Sequence, residues 1–408
     1  MLRDHWALDP TTTFLNHGSF GATTKRVLDA QSAWRARLEA QPVEFFVRTL
    51  PGALEHALVR LAEFLGARAD SLAFVPNATA GVNTVLRSLA PTWSAGDNVV
   101  TTDHEYNACR NALDFAAAGA GAQVRVAAVR FPDASPEQVL DAVLAQVDDH
   151  TRLVLIDHVT SPTALVLPIE PIVAALRARG VAVLVDGAHA PGMCPLDLDA
   201  LGADYYTGNL HKWVCAPKGA AFLHARADRV ASLRPLSISH GANATLRPGQ
   251  SRFRVEFDWT GTADPTPWLC VPEALDAVGA LVPGGWPEVR ARNHALCLSA
   301  RDALCDALGQ SRPAPDAMLG SMAAVPVPPT PHLPPSALGL DPLQEALWVS
   351  ARIEVPIVPW PMAGAERAAA ATGGHLVRVS AHLHNVPADY ARLVEALLSL
   401  TRGPASPP

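Results

Sequence analysis

Short apolar runs alternate with segments of helical period between about residues 70 and 225. Seven of the runs have the length of β-strands: residues 72–75, 98–102, 123–129, 153–159, 181–186, 203–207 and 219–223. The segments between them carry apolar residues on one helical face, as Leu140, Val143 and Val147 do. Strands that are apolar on both faces and separated by helices predict an α/β fold with a mainly parallel seven-stranded sheet.

The pattern changes after Gly261. Helical periodicity covers residues 267–281, 287–308, 343–351 and 387–400, and a strand is predicted at residues 375–381. Eight prolines between Pro313 and Pro335 exclude a regular helix there, so this stretch is predicted to be a connection or a set of edge strands. These elements predict a smaller α+β domain. We therefore divide the chain into a large domain at residues 15–275 and a small domain, formed by residues 1–14 and 276–408, that closes over the active site.

The composition excludes several classes of protein. The chain is 49% hydrophobic and 17% charged with a net charge of −7, which is too apolar for disorder and too weakly charged for nucleic-acid binding. No apolar run approaches the roughly 20 residues of a membrane helix, and the N-terminus lacks a signal-peptide pattern. We expect a cytoplasmic protein without a membrane partner. The six cysteines form no C-x-x-C pair, which argues against a structural zinc site.

Polar residues cluster where the predicted strands end. Ligands collect beyond the carboxyl ends of parallel strands, so these positions are the first candidates for a site. Five such segments stand out: residues 77–83, 103–107, 157–158, 186–189 and 207–213.

Two of these segments carry groups that are costly to bury. Asp186 ends the most apolar strand, where its carboxylate needs a cation or a donor, although a structural hydrogen bond would explain it equally well. Lys212 follows one strand later and is one of only three lysines, with Lys25 and Lys218, among 32 Lys and Arg residues. Arg stays protonated near neutral pH, so chemistry that needs a neutral amine has few candidates. Lys212 is the candidate that lies among the polar strand ends.

The segment from Asn77 to Asn83 follows a strand and opens a helix. Its free N–H groups and the Thr79 hydroxyl would cradle a phosphate, although Thr79 could instead merely cap the helix. An amine, a carboxylate and a phosphate cradle together match the needs of pyridoxal 5'-phosphate. The competing interpretation is a metal site, with possible ligands Asp103, His104, Asp186, His189 and His211.

Longer motifs resemble a known family. The segments Val185-Asp-Gly-Ala-His-Ala-Pro-Gly192 and Gly208-Asn-Leu-His-Lys-Trp213 resemble the class V aminotransferases, pyridoxal-phosphate enzymes with the aspartate aminotransferase-like fold. Segments beginning at Asn16, Asp103 and Glu354 resemble the isopenicillin N epimerase-like branch.

The resemblance assigns roles residue by residue. It implies that Lys212 binds the cofactor aldehyde, that Asp186 pairs with the pyridine nitrogen and that His189 contacts the phenolic oxygen. His104 would stack on the ring, with Tyr106 as its rival. The implied phosphate contacts are Ala78, Thr79, Asn209 and His211, joined by Thr262 from a second subunit of a homodimer. Arg378 would bind the substrate carboxylate, and Asn16, His17 and Arg48 are further candidates for facing the substrate.

The reaction is left with several alternatives. Residues 353–374 contain no cysteine, so the persulfide chemistry of cysteine desulfurases in this family is not expected. We expect an enzyme acting at Cα of a small amino acid, with epimerisation first, and a C–S β-lyase or an aminotransferase as alternatives. A binding protein that has lost catalysis would not need both Lys212 and Asp186. A metal-dependent hydrolase is the most distant alternative, because it gives Lys212 no task.

Overall fold

A computed structural model of the chain describes residues 2–361 and 374–401. The strands in these ranges are β1 (Thr13–Phe14), β2 (Leu72–Val75), β3 (Asn98–Thr102), β4 (Gln123–Ala127), β5 (Thr151–Asp157), β6 (Ala182–Asp186), β7 (Tyr205–Asn209), β8 (Ala221–Ala225), β9 (Met322–Val327), β10 (Ile353–Glu354), β11 (Ile357–Trp360) and β12 (Gly374–Ser380). The α-helices are α1 (His17–Phe20), α2 (Lys25–Ala40), α3 (Pro42–Glu44), α4 (Leu50–Leu65), α5 (Ala78–Leu89), α6 (Asn107–Ala120), α7 (Pro136–Leu144), α8 (Ile169–Ala178), α9 (Leu198–Leu201), α10 (Arg252–Phe257), α11 (Thr266–Leu269), α12 (Val271–Gly279), α13 (Gly285–Leu308), α14 (Pro342–Ala351) and α15 (Pro387–Thr401).

A seven-stranded sheet forms the centre of the molecule, in the order β2-β8-β7-β6-β5-β3-β4. Only β8 runs antiparallel to its neighbours, so the predicted α/β fold with a mainly parallel sheet is confirmed. All seven predicted strands are present, with ends that shift by up to two residues. The run predicted at 153–159 forms β5 at Thr151–Asp157 instead, and Val159 makes an isolated bridge to Val166. The ends differ because the apolar pattern of a sequence indicates which residues are buried, whereas the ends of a strand are set by its backbone hydrogen bonds.

A second, smaller sheet lies in the C-terminal part of the chain. It has the order β11-β12-β9 and is antiparallel, and its apolar side chains share a core with α13, α14 and α15. The proline-rich stretch contributes β9, which pairs only with β12. Pro326 therefore lies on an edge strand, where its missing N–H costs no ladder hydrogen bond, as the sequence predicted.

The N-terminal segment lies with this C-terminal part, because β1 pairs in parallel with β10. The predicted division at residue 275 falls inside α12, whose buried residues Val271, Ala274 and Leu275 pack in the core of the large sheet. The connection between α12 and α13 is a better place for a boundary, and the division into two domains stays a prediction. No helix in the described ranges is long and apolar enough to cross a membrane.

The register of the central strands brings three polar strand ends to one level. Asp157 at the end of β5 is opposite Asp186 at the end of β6, and Asp186 is opposite Thr207 on β7. The chain then leaves β7 after Asn209 and reaches Lys212 three residues later. Parallel pairing therefore gathers polar residues that are far apart in sequence.

The N-terminal helix α1 packs against the loop that carries Lys212. Gly21 ends α1 with φ 69° and ψ 170°, a backbone conformation that is open essentially only to glycine. A Cβ atom at Gly21 would overlap the carbonyl oxygen of His211 and lie 2.9 Å from the Cα atom of Lys212. The close approach of these two segments thus requires glycine.

We expect Gly21→Ala to lower the free energy of unfolding by more than about 3 kcal/mol, because it adds backbone strain to a clash with the lysine loop. Gly309→Ala is the matched control, since Gly309 also has a positive φ, of 64°, but no atom within 4 Å of the added Cβ. It should cost about 1 to 2 kcal/mol. Urea unfolding of both variants measures the difference, and equal losses would contradict the close-approach argument.

Candidate active site

A cavity of about 400 Å³ opens at the carboxyl edge of the central sheet. Its walls are formed by Ser19, Phe20, Asn77, Ala78, Thr79, Tyr106, Asp157, Ser161, Asp186, Ala188, His189, Asn209, His211 and Lys212. Eight of the fourteen residues predicted for the site are in this set. The polar strand ends of the sequence thus meet at one place, as the parallel topology requires.

Lys212 projects an amine into the cavity. Its Nζ atom is 3.1 Å from Nε2 of His189. Burial and, to a smaller extent, the nearby charge of Arg378 lower the pKa of Lys212 to about 7, whereas Asp186 opposes the shift. A substantial fraction of the lysine is therefore the neutral, nucleophilic amine at physiological pH.

The tautomer of His189 follows from its neighbours. Burial lowers the pKa of His189 well below its usual range, so the imidazole is neutral. The Trp213 indole N–H lies 3.5 Å from Nδ1 and can only donate, which makes Nδ1 the acceptor. The ring proton is then on Nε2, which can donate to the neutral amine of Lys212.

Asp186 is almost completely buried, with 1% of its surface exposed. Its Oδ1 atom accepts a hydrogen bond from the Ala188 N–H at 2.9 Å, and Oδ2 accepts one from the Cys109 thiol at 3.1 Å. Burial raises the pKa of Asp186, while the thiol hydrogen bond opposes the rise. A buried carboxylate with few donors is suited to pair with a protonated ring nitrogen.

The phosphate cradle is predicted at the start of α5, where one of its N–H groups is already engaged by a side chain. The Ala78 N–H donates to Oδ1 of Asn209 at 2.9 Å, and the Asn77 side chain caps the Ala80 N–H at 2.8 Å. Thr79 lines the cavity, and its N–H and hydroxyl have no protein acceptor in the described ranges. Thr79 therefore keeps free donors for the predicted phosphate, whereas the Ala78 N–H is engaged by Asn209, and the phosphate contacts themselves stay predictions.

Arg378 on β12 is a buried cation without a carboxylate partner among the described residues. Only 4% of its surface is exposed. Its Nη1 atom donates to the carbonyl and hydroxyl oxygens of Ser161 at 2.6 and 3.1 Å, and Nη2 donates to the Ser19 hydroxyl at 3.0 Å. Nε has no partner in the described part of the chain. Burial lowers the pKa of Arg378 to about 10, so it remains charged and calls for an anion.

Asn16 acts through this arginine cluster and not from the cavity wall. Its Oδ1 atom accepts a hydrogen bond from the Ser19 hydroxyl at 2.5 Å, and its Nδ2 atom donates to Glu354 at 3.0 Å. Ser19 and Ser161, which hold Arg378, were missed by sequence reasoning. Ser19 lies within the Asn16 motif and could have been found there, whereas the sequence gives no signal for Ser161.

Four further predicted residues lie outside the cavity wall. His104 is buried, with its ring nitrogens 2.6 Å from the Thr163 hydroxyl and 3.0 Å from the Val129 carbonyl oxygen. Its rival for the stacking role, Tyr106, lines the cavity, and which of the two rings stacks on the cofactor stays a prediction. His17 is buried against the carbonyl oxygen of Lys212 at 3.1 Å and thus supports the lysine loop. Arg48 and Thr262 are exposed.

The metal interpretation finds little support in this arrangement. Two groups of described residues have ligand atoms close enough for one ion: Glu105 with Cys109 and Asp186, and His17 with His382 and His384. Neither is the set expected from the sequence. The rings of His17 and His382 are stacked, with centroids 4.3 Å apart and planes 22° apart, so their in-plane lone pairs do not converge on one point.

Comparison with known proteins identifies the family. The family model described as aminotransferase class-V matches residues 22–304. The chain belongs to the class V aminotransferase family. Its cofactor is therefore pyridoxal 5'-phosphate, the cofactor of this family.

Two kinds of relative are similar over nearly the whole chain. The isopenicillin N epimerase of Amycolatopsis lactamdurans is 37% identical and that of Streptomyces clavuligerus 33%, with 98% of this chain covered and 98% and 97% of the relatives. A putative L-cysteine desulfhydrase of Oryza sativa subsp. japonica is 32% identical, covering 95% of this chain and 82% of the relative.

The fold also matches solved structures. The cysteine desulfurase CsdA of Escherichia coli aligns with a TM-score of 0.77 at 17% identity, covering 98% of this chain and 97% of that chain. The cystine C-S lyase C-DES, in complex with cysteine persulfide, aligns with a TM-score of 0.76 at 23% identity over 96% and 98% of the two chains. At these identities the likeness supports the fold alone.

The cavity fits the cofactor on its own geometry. Lys212 offers a neutral amine to the aldehyde, and buried Asp186 offers a carboxylate to the ring nitrogen. Thr79 offers an N–H and a hydroxyl, at a helix N-terminus, to the phosphate. These three groups face one cavity and have the polarity that the three ends of pyridoxal phosphate require.

We expect the rate at which the apoenzyme binds pyridoxal phosphate covalently to rise with pH through about 7 and to level off above it, because only the neutral amine of Lys212 reacts. Borohydride fixation followed by peptide mass analysis measures the labelled fraction at each pH. Lys212→Ala should carry no label, and Lys218→Ala should label normally. A midpoint near 10.5, the ordinary lysine value, would contradict the argument from burial.

Proposed function

We propose that the protein is a pyridoxal-phosphate-dependent amino-acid epimerase that acts at Cα. One observation carries the proposal. The neutral amine of Lys212 faces a cavity, and buried Arg378, which could bind a carboxylate, lies behind the Ser161 wall of the same cavity. Together these groups select an α-amino acid and remove its Cα proton. The epimerase relatives at 37% and 33% identity support the further choice of reaction.

Each residue has a task in this proposal. Arg378 binds the substrate carboxylate with its planar guanidinium, once Ser19 and Ser161 yield to the stronger acceptor. Lys212 accepts the Cα proton, and His189 holds the ring oxygen of the cofactor. Bound pyridoxal phosphate supplies the electron sink, and Asp186 keeps a proton on the ring nitrogen for that purpose.

Epimerisation also needs a proton donor on the opposite face of Cα. Tyr106 is suited to this task, since it lines the cavity and is 44% exposed, so its hydroxyl is accessible to a bound substrate. His17, the other residue considered from the sequence, is buried behind the lysine loop. The structure therefore favours Tyr106 as the second acid.

A C–S β-lyase is the alternative, because L-cysteine desulfhydrases are relatives at 28% to 32% identity. A lyase needs the same groups for carboxylate binding and proton removal but expels a β-substituent. An aminotransferase would return the proton to the cofactor. Neither of these reactions requires a donor on the second face.

We expect Tyr106→Phe to separate the two halves of epimerisation. In deuterated water the variant should still exchange the Cα proton of its amino acid with retention of configuration, because Lys212 is unchanged. Formation of the opposite enantiomer should fall by about 10²-fold or more. Mass spectrometry measures deuterium and chiral chromatography measures the enantiomer, over a panel of amino acids.

Tyr205→Phe is the matched control, because this buried tyrosine bonds Ser232 and lies outside the cavity wall. It should epimerise normally. If the wild-type protein releases pyruvate and thiol from cysteine and never scrambles Cα, the lyase alternative is correct. If Tyr106→Phe epimerises at the wild-type rate, the second donor is another group.

We also propose that the enzyme is a homodimer with a shared site. Phe20 lines the cavity and yet is 72% exposed, which is unusual for an aromatic side chain at an active site. Thr262 is exposed, and its hydroxyl makes no hydrogen bond within the described ranges. Both features are explained if a second subunit covers Phe20 and brings its Thr262 to the phosphate.

Hybrid dimers test this arrangement. Co-expression of Lys212→Ala and Thr262→Ala chains should produce hybrids with one intact site, because the Lys212 of one chain meets the Thr262 of the other. Each hybrid should bind one equivalent of cofactor covalently with wild-type affinity. If Thr262 served its own chain, every covalent site in the hybrid would show the weaker affinity of Thr262→Ala. A monomeric mass by light scattering would also contradict the proposal.

A further inference from the structure

Asp157 is a cavity residue to which neither the sequence motifs nor the proposed reaction gives a task. It ends β5 next to Asp186, its register partner on β6. It lines the cavity but is only 2% exposed. No hydrogen bond from the described residues reaches its carboxyl group, and its Oδ2 atom is fully buried. A buried carboxylate without donors is costly, so this group requires an explanation.

Two other carboxyl groups are close to Asp157. Asp186 is its register partner, and Glu105, 2% exposed, has a carboxylate oxygen within 4.8 Å of one of Asp186. The Glu105 Oε2 atom accepts from the Thr101 hydroxyl at 3.2 Å, but Oε1 has no partner in the described part of the chain. Three buried carboxylates in one corner repel one another strongly if all are ionised.

The positive charge near this corner is small. Lys212 is the cation whose charge favours ionisation of Asp157, and Lys212 is itself largely neutral at physiological pH. The Cys109 thiol is fully buried beside Asp186 and contributes no positive charge. Burial, with Glu105 and Asp186 as neighbours, raises the pKa of Asp157 well above its usual range. The corner therefore retains protons at neutral pH.

A neutral carboxyl group carries an O–H that needs an acceptor. Asp186 is the carboxylate of the three that has its oxygens engaged by donors, Ala188 and Cys109, so it is the one suited to remain ionised. The Asp157 group has no acceptor in the described protein and borders the cavity. Its acceptor must come from what the cavity holds.

We propose that Asp157 is a cofactor-binding residue that acts as a neutral carboxylic acid and donates a hydrogen bond to the pyridoxal phosphate beside Asp186. The two register partners then have opposite roles: the Asp186 carboxylate accepts a hydrogen bond from the protonated ring nitrogen, and the Asp157 acid donates a hydrogen bond to the cofactor. The inference depends on the cofactor and not on which reaction follows.

Two neutral substitutions that differ in hydrogen-bonding capacity test the donor. Asp157→Asn is neutral and keeps an N–H donor, whereas Asp157→Leu is neutral and has none. Titration of the apoenzyme with pyridoxal phosphate should give an affinity within about threefold of wild type for the Asn variant. The Leu variant should bind at least about tenfold more weakly and have a shifted visible absorption band.

The alternatives give different results. Equal losses in both variants would mean that Asp157 acts as an ionised charge, and wild-type affinity in both would mean that it does not contact the cofactor. Either result overturns the proposal. Asp204→Asn is the control, since Asp204 is also buried but pairs with Arg226 and Arg229 outside the cavity, and it should lower stability without changing cofactor affinity.

A second measurement needs no cofactor, and it tests the proposal even if the Asp157→Leu variant fails to fold. A carboxyl group whose pKa is raised on folding lowers stability as pH rises above its unfolded value. The Asp157→Asn apoenzyme should therefore melt at a higher temperature than wild type at pH 7, and the difference should shrink at pH 4. The absence of such a gain at pH 7 would show that Asp157 is ionised and would overturn the proposal. Either outcome leaves the tests of epimerisation unaffected.

Discussion

The level register of β5, β6 and β7 is the constraint on which the active site depends. It places Asp157, Asp186 and Thr207 side by side at the carboxyl edge, and the loop to Lys212 begins just beyond it. A slip of one residue in β6 would turn the Asp186 side chain to the other face of the sheet. Val183, Leu184 and Val185 are buried without interruption, since both faces of the strand are covered, and Asp186 ends this apolar run. The buried core therefore ends at the residue where the site begins.

Burial at this edge also determines which groups are charged. These side chains are shielded from solvent, so each ionisable residue takes the state that its neighbours support. Burial, and after it the charge of Arg378, lowers the pKa of Lys212 to about 7, and burial keeps His189 neutral beside it. Arg378 cannot release its proton near neutral pH, and its Nε atom has no hydrogen-bond partner among the residues that the structure describes. The site can therefore bind an anion at the Arg378 guanidinium, next to the neutral amine of Lys212.

Sequence reasoning found the strands, the edge position of β9 and eight residues of the cavity wall, because periodicity and polar strand ends report burial and topology directly. It is less informative where a role depends on side-chain direction. His104 and Tyr106 are two residues apart, and both stay candidates for stacking on the cofactor: the ring nitrogens of His104 bond Thr163 and Val129, and Tyr106 lines the cavity. Ser19 and Ser161 are 142 residues apart in the sequence, and both accept hydrogen bonds from Arg378 on the small sheet. Contacts of this kind arise from tertiary packing, and no local sequence pattern predicts them.

The same geometry explains why the family supports more than one reaction. Carboxylate binding and a neutral lysine are needed whenever a Cα proton is removed, so these residues cannot distinguish an epimerase from a lyase. The distinction lies in what faces the other side of Cα. The absence of cysteine from residues 353–374 bears on persulfide chemistry and not on a C–S β-lyase. At its opening the cavity presents Tyr106 and Phe20, which are 44% and 72% exposed. The proposed epimerisation requires a hydroxyl such as that of Tyr106 to deliver a proton there. The choice of reaction therefore depends on the mouth of the cavity, where the wall is most open, and not on the buried floor that holds the cofactor.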